Sequence, residues 1–380
     1  HDRIASLRFF DPACGCGNFL VITYREMRRL ELAVLKQIRS LTGNVQGEML
    51  VSNLSKIDVN SFYGIEVEEF PSEIARVALW LTDHLASTEL SAEFGVPYFR
   101  LPLEHSPNIV YGNALRLDWR EVVGEPNENL FILGNPPFVG SRLMEKAQKQ
   151  DLETVFEGTI KIGDLDYVTA WYIKAAKLIQ NTKTKVAFVS TNSIVQGLQT
   201  GILWSQLLAI YNIKIHFAHR TFKWSNEAAG NAAVYCVIIG FANFDVNTKR
   251  IFDYEDVRAE AHELKAKNIN PYLIDAEDFL IDRKQHPICN VPEMNFGNMP
   301  ADGGEFLFTT EEKTAFLRSE PHAERYFKPF ISAYEFINKK ERWCLWLQDV
   351  DPQELRKLRL VKERIEKVKR IREFSSRPHL

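Results

Sequence analysis

The chain has 380 residues, 45% of them hydrophobic, enough for a substantial core and for two domains. Its 47 Lys and Arg against 50 Asp and Glu give a net charge of −3, so any contact with nucleic acid rests on local charge and not on an overall basic surface. No run of about 18 apolar residues suggests a membrane span, no signal-peptide layout opens the sequence, and the odd, scattered set Cys14, Cys16, Cys236, Cys289 and Cys344 argues against a disulfide scaffold.

In chain order, the first motif is Phe9-Phe10-Asp11-Pro12-Ala13-Cys14-Gly15-Cys16-Gly17-Asn18-Phe19. It reads as a strand ending in an acid, a small-residue turn, and a helix over Leu20 to Ile38. Glycines let a backbone approach a ligand closely, and a helix start offers free N–H groups. In dinucleotide enzymes such a turn cradles a pyrophosphate, but here GxGxxG is missing and Asp11 would repel phosphate while attracting an ammonium group. The ligand this suggests is a nucleoside carrying an amino acid, S-adenosylmethionine. Cys14 and Cys16 have no second thiol or imidazole pair placed to complete a zinc site, so they read as small side chains in a tight turn.

Tyr63-Gly64-Ile65-Glu66-Val67 reads as a second strand ending in an acid, a position that typically holds ribose hydroxyls. Taken alone, Glu66 also fits a solvated surface residue. Pro71 suits the first turn of the next helix, whose expected apolar face is Ile74, Val77, Ala78, Leu81 and Leu85. Tyr111-Gly112-Asn113-Ala114-Leu115 closes a further apolar stretch, and Asn113 fits either a contact to an adenine amino group or a turn.

Leu130-Phe131-Ile132-Leu133 reads as a short buried strand that runs through Gly134 into Asn135-Pro136-Pro137-Phe138. Neither proline can donate a backbone hydrogen bond, so the chain leaves the sheet there. An amide is thereby held at a strand's carboxyl end, followed by a rigid turn and an aromatic ring. Two carbonyl acceptors, from Asn135 and Pro136, can orient a planar amine and take on its developing positive charge, which is what methyl transfer to an exocyclic base nitrogen needs. Taken alone, the tetrapeptide also fits a proline-rich turn.

Residues 141–165 read as a polar loop containing Arg142, Lys146 and Lys149, placed to close over a ligand. A helix is expected over Tyr167 to Ile179, a buried strand over Lys185 to Ser190, a helix over Ile202 to Tyr211, and strands over Ile213 to Ala218 and Ala232 to Phe241, with Phe222 in an exposed loop between them. The α/β pattern thins near Asp282-Arg283-Lys284-Gln285-His286-Pro287, where a domain boundary is expected. Residues 354–377 carry ten Lys or Arg against four Glu, with Leu355, Leu358, Val361, Ile365, Val368 and Ile371 at helical spacing. They read as one amphipathic basic helix, suited to a phosphate backbone or to a solvated face.

The order of these motifs resembles the gamma class of amino-methylating DNA methyltransferases. Further segments are similar to the MmeI-like type II restriction–modification enzymes: Thr221-Phe222-Lys223-Trp224-Ser225-Asn226-Glu227-Ala228, Gly230-Asn231-Ala232-Ala233, Met294-Asn295-Phe296-Gly297-Asn298-Met299-Pro300, Phe330 to Ile337, and Arg342-Trp343-Cys344-Leu345-Trp346-Leu347. The resemblance implies an α/β fold, a Rossmann-like class I methyltransferase sheet with an antiparallel terminal hairpin over residues 1–285. A less regular α+β target-recognition domain, whole or partial, would follow over 286–380. It implies S-adenosyl-L-methionine held by Asp11, Ala13, Gly15, Gly17, Glu66 and Asn113, with Asn135, Pro136, Pro137 and Phe138 catalytic. Phe138 and Phe222 would stack on a base flipped out of double-stranded DNA.

The implied activity is site-specific transfer to adenine N6 in a prokaryotic, cytoplasmic restriction–modification enzyme, without metal. The alternatives are N4-cytosine methylation and a DNA-binding specificity module with vestigial catalysis. The sequence begins with His1 and only ten residues precede Asp11, so a larger parent polypeptide with a further cofactor-contacting segment is expected. No acid…Glu-x-Lys nuclease cluster is legible before the cofactor turn.

Overall fold

The structure is a computed structural model that describes residues 1–42, 55–95, 106–157, 162–224, 234–256, 260–281, 286–292, 300–348 and 350–375. Residues 225–233 and 294–299 of the resemblance segments, and 282–285 of the expected boundary, lie outside these. The chain divides into two compact units, His1–Arg283 and Lys284–Leu380.

The first unit contains, in order, α1 (Asp2–Ala5), β1 (Arg8–Asp11), α2 (Asn18–Thr42), β2 (Phe62–Glu66), α3 (Glu69–Phe94), β3 (Asn108–Tyr111), α4 (Trp119–Val123) and β4 (Leu130–Gly134). It continues with α5 (Lys146–Val155), α6 (Thr169–Leu178), β5 (Lys185–Thr191), α7 (Leu198–Ser205), β6 (Lys214–Trp224), β7 (Val234–Ala242), β8 (Lys249–Asp253) and β9 (His262–Ala266). The strands form one nine-stranded sheet of order β3-β2-β1-β4-β5-β7-β6-β8-β9. Strands β3, β2, β1, β4 and β5 are parallel, whereas β7 runs antiparallel to both β5 and β6. The expected antiparallel hairpin is therefore β6–β7, with β7 wedged inside. The pair β8–β9, which the sequence reading left out, extends the sheet beyond it.

Period-two alternation makes β1 serve both faces of the sheet. Phe9 stacks on Phe62 and Phe131, at centroid distances of 5.1 and 5.7 Å, in a core closed by α2 and α3. Phe10 points the other way and meets Trp119 edge-on at 5.3 Å, in the larger core closed by α4 to α7. Helices on both faces of a mostly parallel sheet are what its near-continuous apolar strands require.

Three expectations fail locally. The stripe Val77, Leu81 and Leu85 does not face the core of α3: these residues are more than half exposed, and Ser72, Ala75, Leu79, Asp83, Ser87 and Leu90 are buried instead. Close helix contact and ion pairing select that face. A Cβ on Gly17 would lie 3.0 Å from the Cβ of Ala75, so α3 packs tightly on the start of α2. The buried Arg28 donates to Asp83 at 2.6 Å and lies 3.3 Å from Glu31. The polar stretch 141–165 holds a helix, α5, whose Gln148 accepts the Glu145 N–H at 2.9 Å and whose Leu152 and Val155 are buried. Phe222 lies within β6, because the strand runs on to Trp224 and pairs with β7.

The second unit comprises β10 (Leu307–Phe308), α8 (Thr310–Ser319), β11 (Phe327–Pro329), α9 (Ala333–Asn338), β12 (Trp343–Leu345), α10 (Pro352–Leu355) and α11 (Arg359–Glu373). Its sheet, β10-β12-β11, packs Phe308, Phe327 and Leu345, with Tyr326 from the turn before β11, against Leu358 and Val361. The basic segment is not one helix. It breaks between Leu355 and Arg359, and the Glu320 carboxylate caps α11 by accepting from the Leu360 and Val361 N–H groups at 3.1 and 3.0 Å. Among the described residues, no helix is long and apolar enough to cross a membrane.

Candidate active site

From β1 the chain steps outward to β2 and β3, then returns to β4 and β5 on the other side. The order therefore reverses between β1 and β4, and ligands of open α/β sheets bind outside the carboxyl ends at such a point. Asp11 ends β1, and Asn135 follows the last residue of β4. Because β7 is antiparallel to its two neighbours, β6 runs in the same direction as β5 and brings Phe222 to the same edge of the sheet.

Asp11 is 1% exposed, and its Oδ1 accepts the Ala13 N–H at 3.0 Å. Gly134 lies beside it on the neighbouring strand β4, where a Cβ would collide with the Asp11 carboxylate. Burial, with the negative charge of Glu66 adding to it, raises the Asp11 carboxyl to about 7. The turn that follows is bent by Gly15 and Gly17, both at positive φ (+55° and +84°), where a side chain is strained. It is pinned by the Cys14 N–H to the Ile65 carbonyl at 3.0 Å, and by the Trp171 indole N–H to the Pro12 carbonyl at 3.1 Å. Glu66 closes the turn from β2. One carboxylate oxygen accepts the Gly15 N–H at 2.8 Å and the other the Glu68 N–H at 3.0 Å. Each keeps a further lone pair for a hydroxyl.

Two neighbouring carboxylates beside a turn of N–H groups fit a ligand with a cationic amine and ribose hydroxyls better than a phosphate. The Cys14 thiol is buried and pushed far above its ordinary range by that burial, which disfavours the reactive thiolate. Among the described residues no group of three His, Cys, Asp or Glu is arranged to hold a metal ion.

Asn113 is engaged at both ends of its amide. Its oxygen accepts the Leu115 N–H at 2.9 Å, and its amino group donates to Asp151 at 2.9 Å. Asp151, in α5, also accepts from Arg116 at 2.7 Å and from the Tyr167 hydroxyl at 3.2 Å. The Asn113 oxygen thereby closes the local turn, and its amino group lies in a polar cluster with Asp151 and Tyr167.

Asn135 differs from all of these. Its Oδ1 is buried and has no hydrogen-bond partner among the described residues. Pro136 is buried, Pro137 exposed and Phe138 half-buried. Phe222 is half-buried beside Tyr254 and Trp224, at centroid distances of 5.5 and 6.1 Å. Between His219 and Phe222 β6 advances three residues while β7 advances two, and such a bulge re-aims the side chain after it.

Gly134, Trp171 and Asp151 were not singled out by sequence reasoning. Gly134 carried a signal, a glycine closing an apolar strand. The other two act through contacts with residues distant in sequence, for which no local pattern exists.

The sequence profile of the MmeI DNA-methyltransferase domain matches residues 1–253, and that of the MmeI target recognition domain matches residues 275–379. DNA methyltransferase A of Bacillus subtilis (strain 168) is 40% identical over 377 residues, which are 98% of this chain and 41% of that protein. The solved structure of the type IIL restriction–modification enzyme MmeI in complex with DNA superposes with a TM-score of 0.91 at 51% identity, over 99% of this chain and 50% of that one. This chain spans about half the length of these relatives or less.

Proposed function

This chain belongs to the MmeI family, with its DNA-methyltransferase and target-recognition domains, and we propose that it methylates N6 of an adenine flipped out of double-stranded DNA, within a restriction–modification enzyme. The observation that carries this reading is the buried, unpartnered Asn135 Oδ1 at the switch point. A buried acceptor without a partner is costly in a folded protein, and a ligand amine is the partner that satisfies it.

S-adenosylmethionine, when bound, supplies an electrophilic methyl group. Asp11 takes the ammonium end and Glu66 the ribose hydroxyls, while Ala13, Gly15 and Gly17 let the backbone come close. Asn113 meets the adenine ring of the cofactor. Asn135 and the Pro136 carbonyl accept the two hydrogens of the target amine and fix its plane. As the nitrogen gains a bond to carbon its proton becomes acidic, and these same oxygens stabilise the positive charge. Phe138 and Phe222 stack on the base, which offsets part of the unpairing cost. This step needs neither a covalent enzyme intermediate nor a metal.

The test is transfer of labelled methyl from S-adenosylmethionine to duplex DNA by the full-length polypeptide, followed by nucleoside analysis. N6-methyladenine is expected, and N4-methylcytosine in its place would overturn the choice of base. Asn135→Ala should lower the rate at least about a hundredfold, as removal of a preorganised polar group does elsewhere. Its affinity for the cofactor should stay unchanged. Parent-rate methylation by that variant would remove Asn135 from the mechanism.

A further inference from the structure

We infer that Asp166 is a positioning residue, a latch that fixes the loop carrying Asn135-Pro136-Pro137-Phe138 to the end of β5; the inference rests on the methyltransferase reading above. Asp166 lies in the turn before α6. Its Oδ1 accepts the Ser141 N–H at 2.9 Å, from the loop just beyond Phe138. Its Oδ2 accepts from the Ser193 hydroxyl at 2.6 Å and from the Gln199 amide at 3.1 Å. Ser193 is in turn hydrogen-bonded to Thr191, the last residue of β5, at 2.7 Å. The backbone closes the arrangement: the Asp166 N–H donates to the Gln199 side-chain oxygen at 3.2 Å, and the Tyr167 N–H donates to the Val139 carbonyl at 2.9 Å.

The carboxylate therefore gathers neutral donors from the loop after β4, from the segment after β5 and from α7. Among the described residues it forms no ion pair, so charge neutralisation does not explain its place. A carboxylate can accept on both of its oxygens at once. What it controls follows from the chain on either side of Asn135. Upstream, Asn135 is held by β4. Downstream, Pro136 and Pro137 have fixed φ and no N–H, so neither can donate a backbone hydrogen bond that holds it to the sheet. The first backbone N–H shown tethered beyond them is that of Ser141, and its acceptor is Asp166. Without this tether the loop keeps the Tyr167 N–H to Val139 carbonyl bond but loses its second anchor, so the Pro136 carbonyl and the Phe138 ring are held less firmly where they meet the base. Its loss does not touch Asp11, Glu66 or the cofactor turn.

The experiment measures single-turnover methyl transfer, steady-state kcat and KM for DNA, and cofactor affinity in the full-length polypeptide, for the parent, Asn135→Ala, Asp166→Ala and Asp166→Asn. Asp166→Ala should slow transfer about ten- to a hundredfold, the scale of a displacement near 1 Å at a reacting centre. The fall should lie in kcat, with cofactor affinity and KM for DNA unchanged. Asp166→Asn keeps an oxygen for the Ser141 N–H and should recover most of the rate, which a loss of overall packing would not predict. Parent-rate transfer by Asp166→Ala, while Asn135→Ala is inactive, overturns the latch and leaves the proposed function standing. Equal losses in both Asp166 variants, accompanied by lost cofactor affinity, overturn it as well. A parent protein that methylates no DNA overturns both.

Discussion

Asp11 and Asn135 sit at adjacent strand ends with opposite electrostatic problems. Asn135 has an acceptor without a donor. Asp11 has no counter-charge among the described residues, and burial together with Glu66 raises its carboxyl from 3.8 to about 7. The folded state thus holds this proton more tightly than the unfolded chain does. The stability linked to Asp11 is fully present below the unfolded value, falls as pH rises from 3.8 to about 7, and is lost above that. Asp11→Asn keeps the acceptor for Ala13 and never ionises. It should raise the melting temperature of the ligand-free protein above pH 7, with the gain vanishing toward pH 4. Ligand binding should show the reverse: parent affinity for S-adenosylmethionine rises through about pH 7 as the carboxylate forms, and the Asn variant lacks that rise. Parallel pH profiles for the two proteins, in calorimetric titration, would show that Asp11 does not meet the ammonium group.

Elements in this protein are placed by polar contacts as much as by apolar stripes. In α3 the exposed stripe is the more apolar one. The buried face was chosen by Ala75 against Gly17 and by Asp83, which accepts from Arg28 and from Tyr24, both at 2.6 Å. Arg28→Ala should cost about 3–5 kcal/mol in urea unfolding, because it strands buried carboxylates without their guanidinium. A cost below about 1 kcal/mol, the range of exposed pairs, would mean that water replaces the arginine. The same lesson holds in the second unit. The basic run 354–377 has uniform helical periodicity, yet it is divided where Leu358 enters the core and Glu320 caps the next turn. In β6 the strand continues past the expected end, because pairing with β7 supplies the partner for Phe222.

Each unit of the molecule closes its cores with its own residues: those of the first lie before Arg283 and that of the second after Lys284. The turn over residues 11–17, the Asn135 loop and Asp166 all belong to the first. Removing residues 284–380 from the full-length polypeptide should therefore leave S-adenosylmethionine affinity unchanged and abolish sequence-specific methylation, if the side chains that read base edges lie in the removed part as the target-recognition match implies. Affinity lost in proportion to specificity, in the same calorimetric titration, would show that the second unit completes the cofactor site.

The sequence by itself determined the features that are local and chemically distinctive. Asp11, Gly15, Gly17, Glu66 and Asn135-Pro136-Pro137-Phe138 were legible because acids at strand ends, glycines at positive φ and paired prolines each impose a conformation within a few residues. Strand after strand was legible for the same reason, through short apolar runs. What only the tertiary structure decided depends on partners far apart in the chain. The face of α3 was set by Arg28, and the need for glycine at position 134 by the Asp11 carboxylate. The start of α11 was set by Glu320, and the anchoring of the Ser141 N–H beyond Phe138 by Asp166. Each of these is one hydrogen bond or one close contact. Its energy is as large as a local preference, but it leaves no periodic trace in the sequence, because the two sides meet only after the chain has folded.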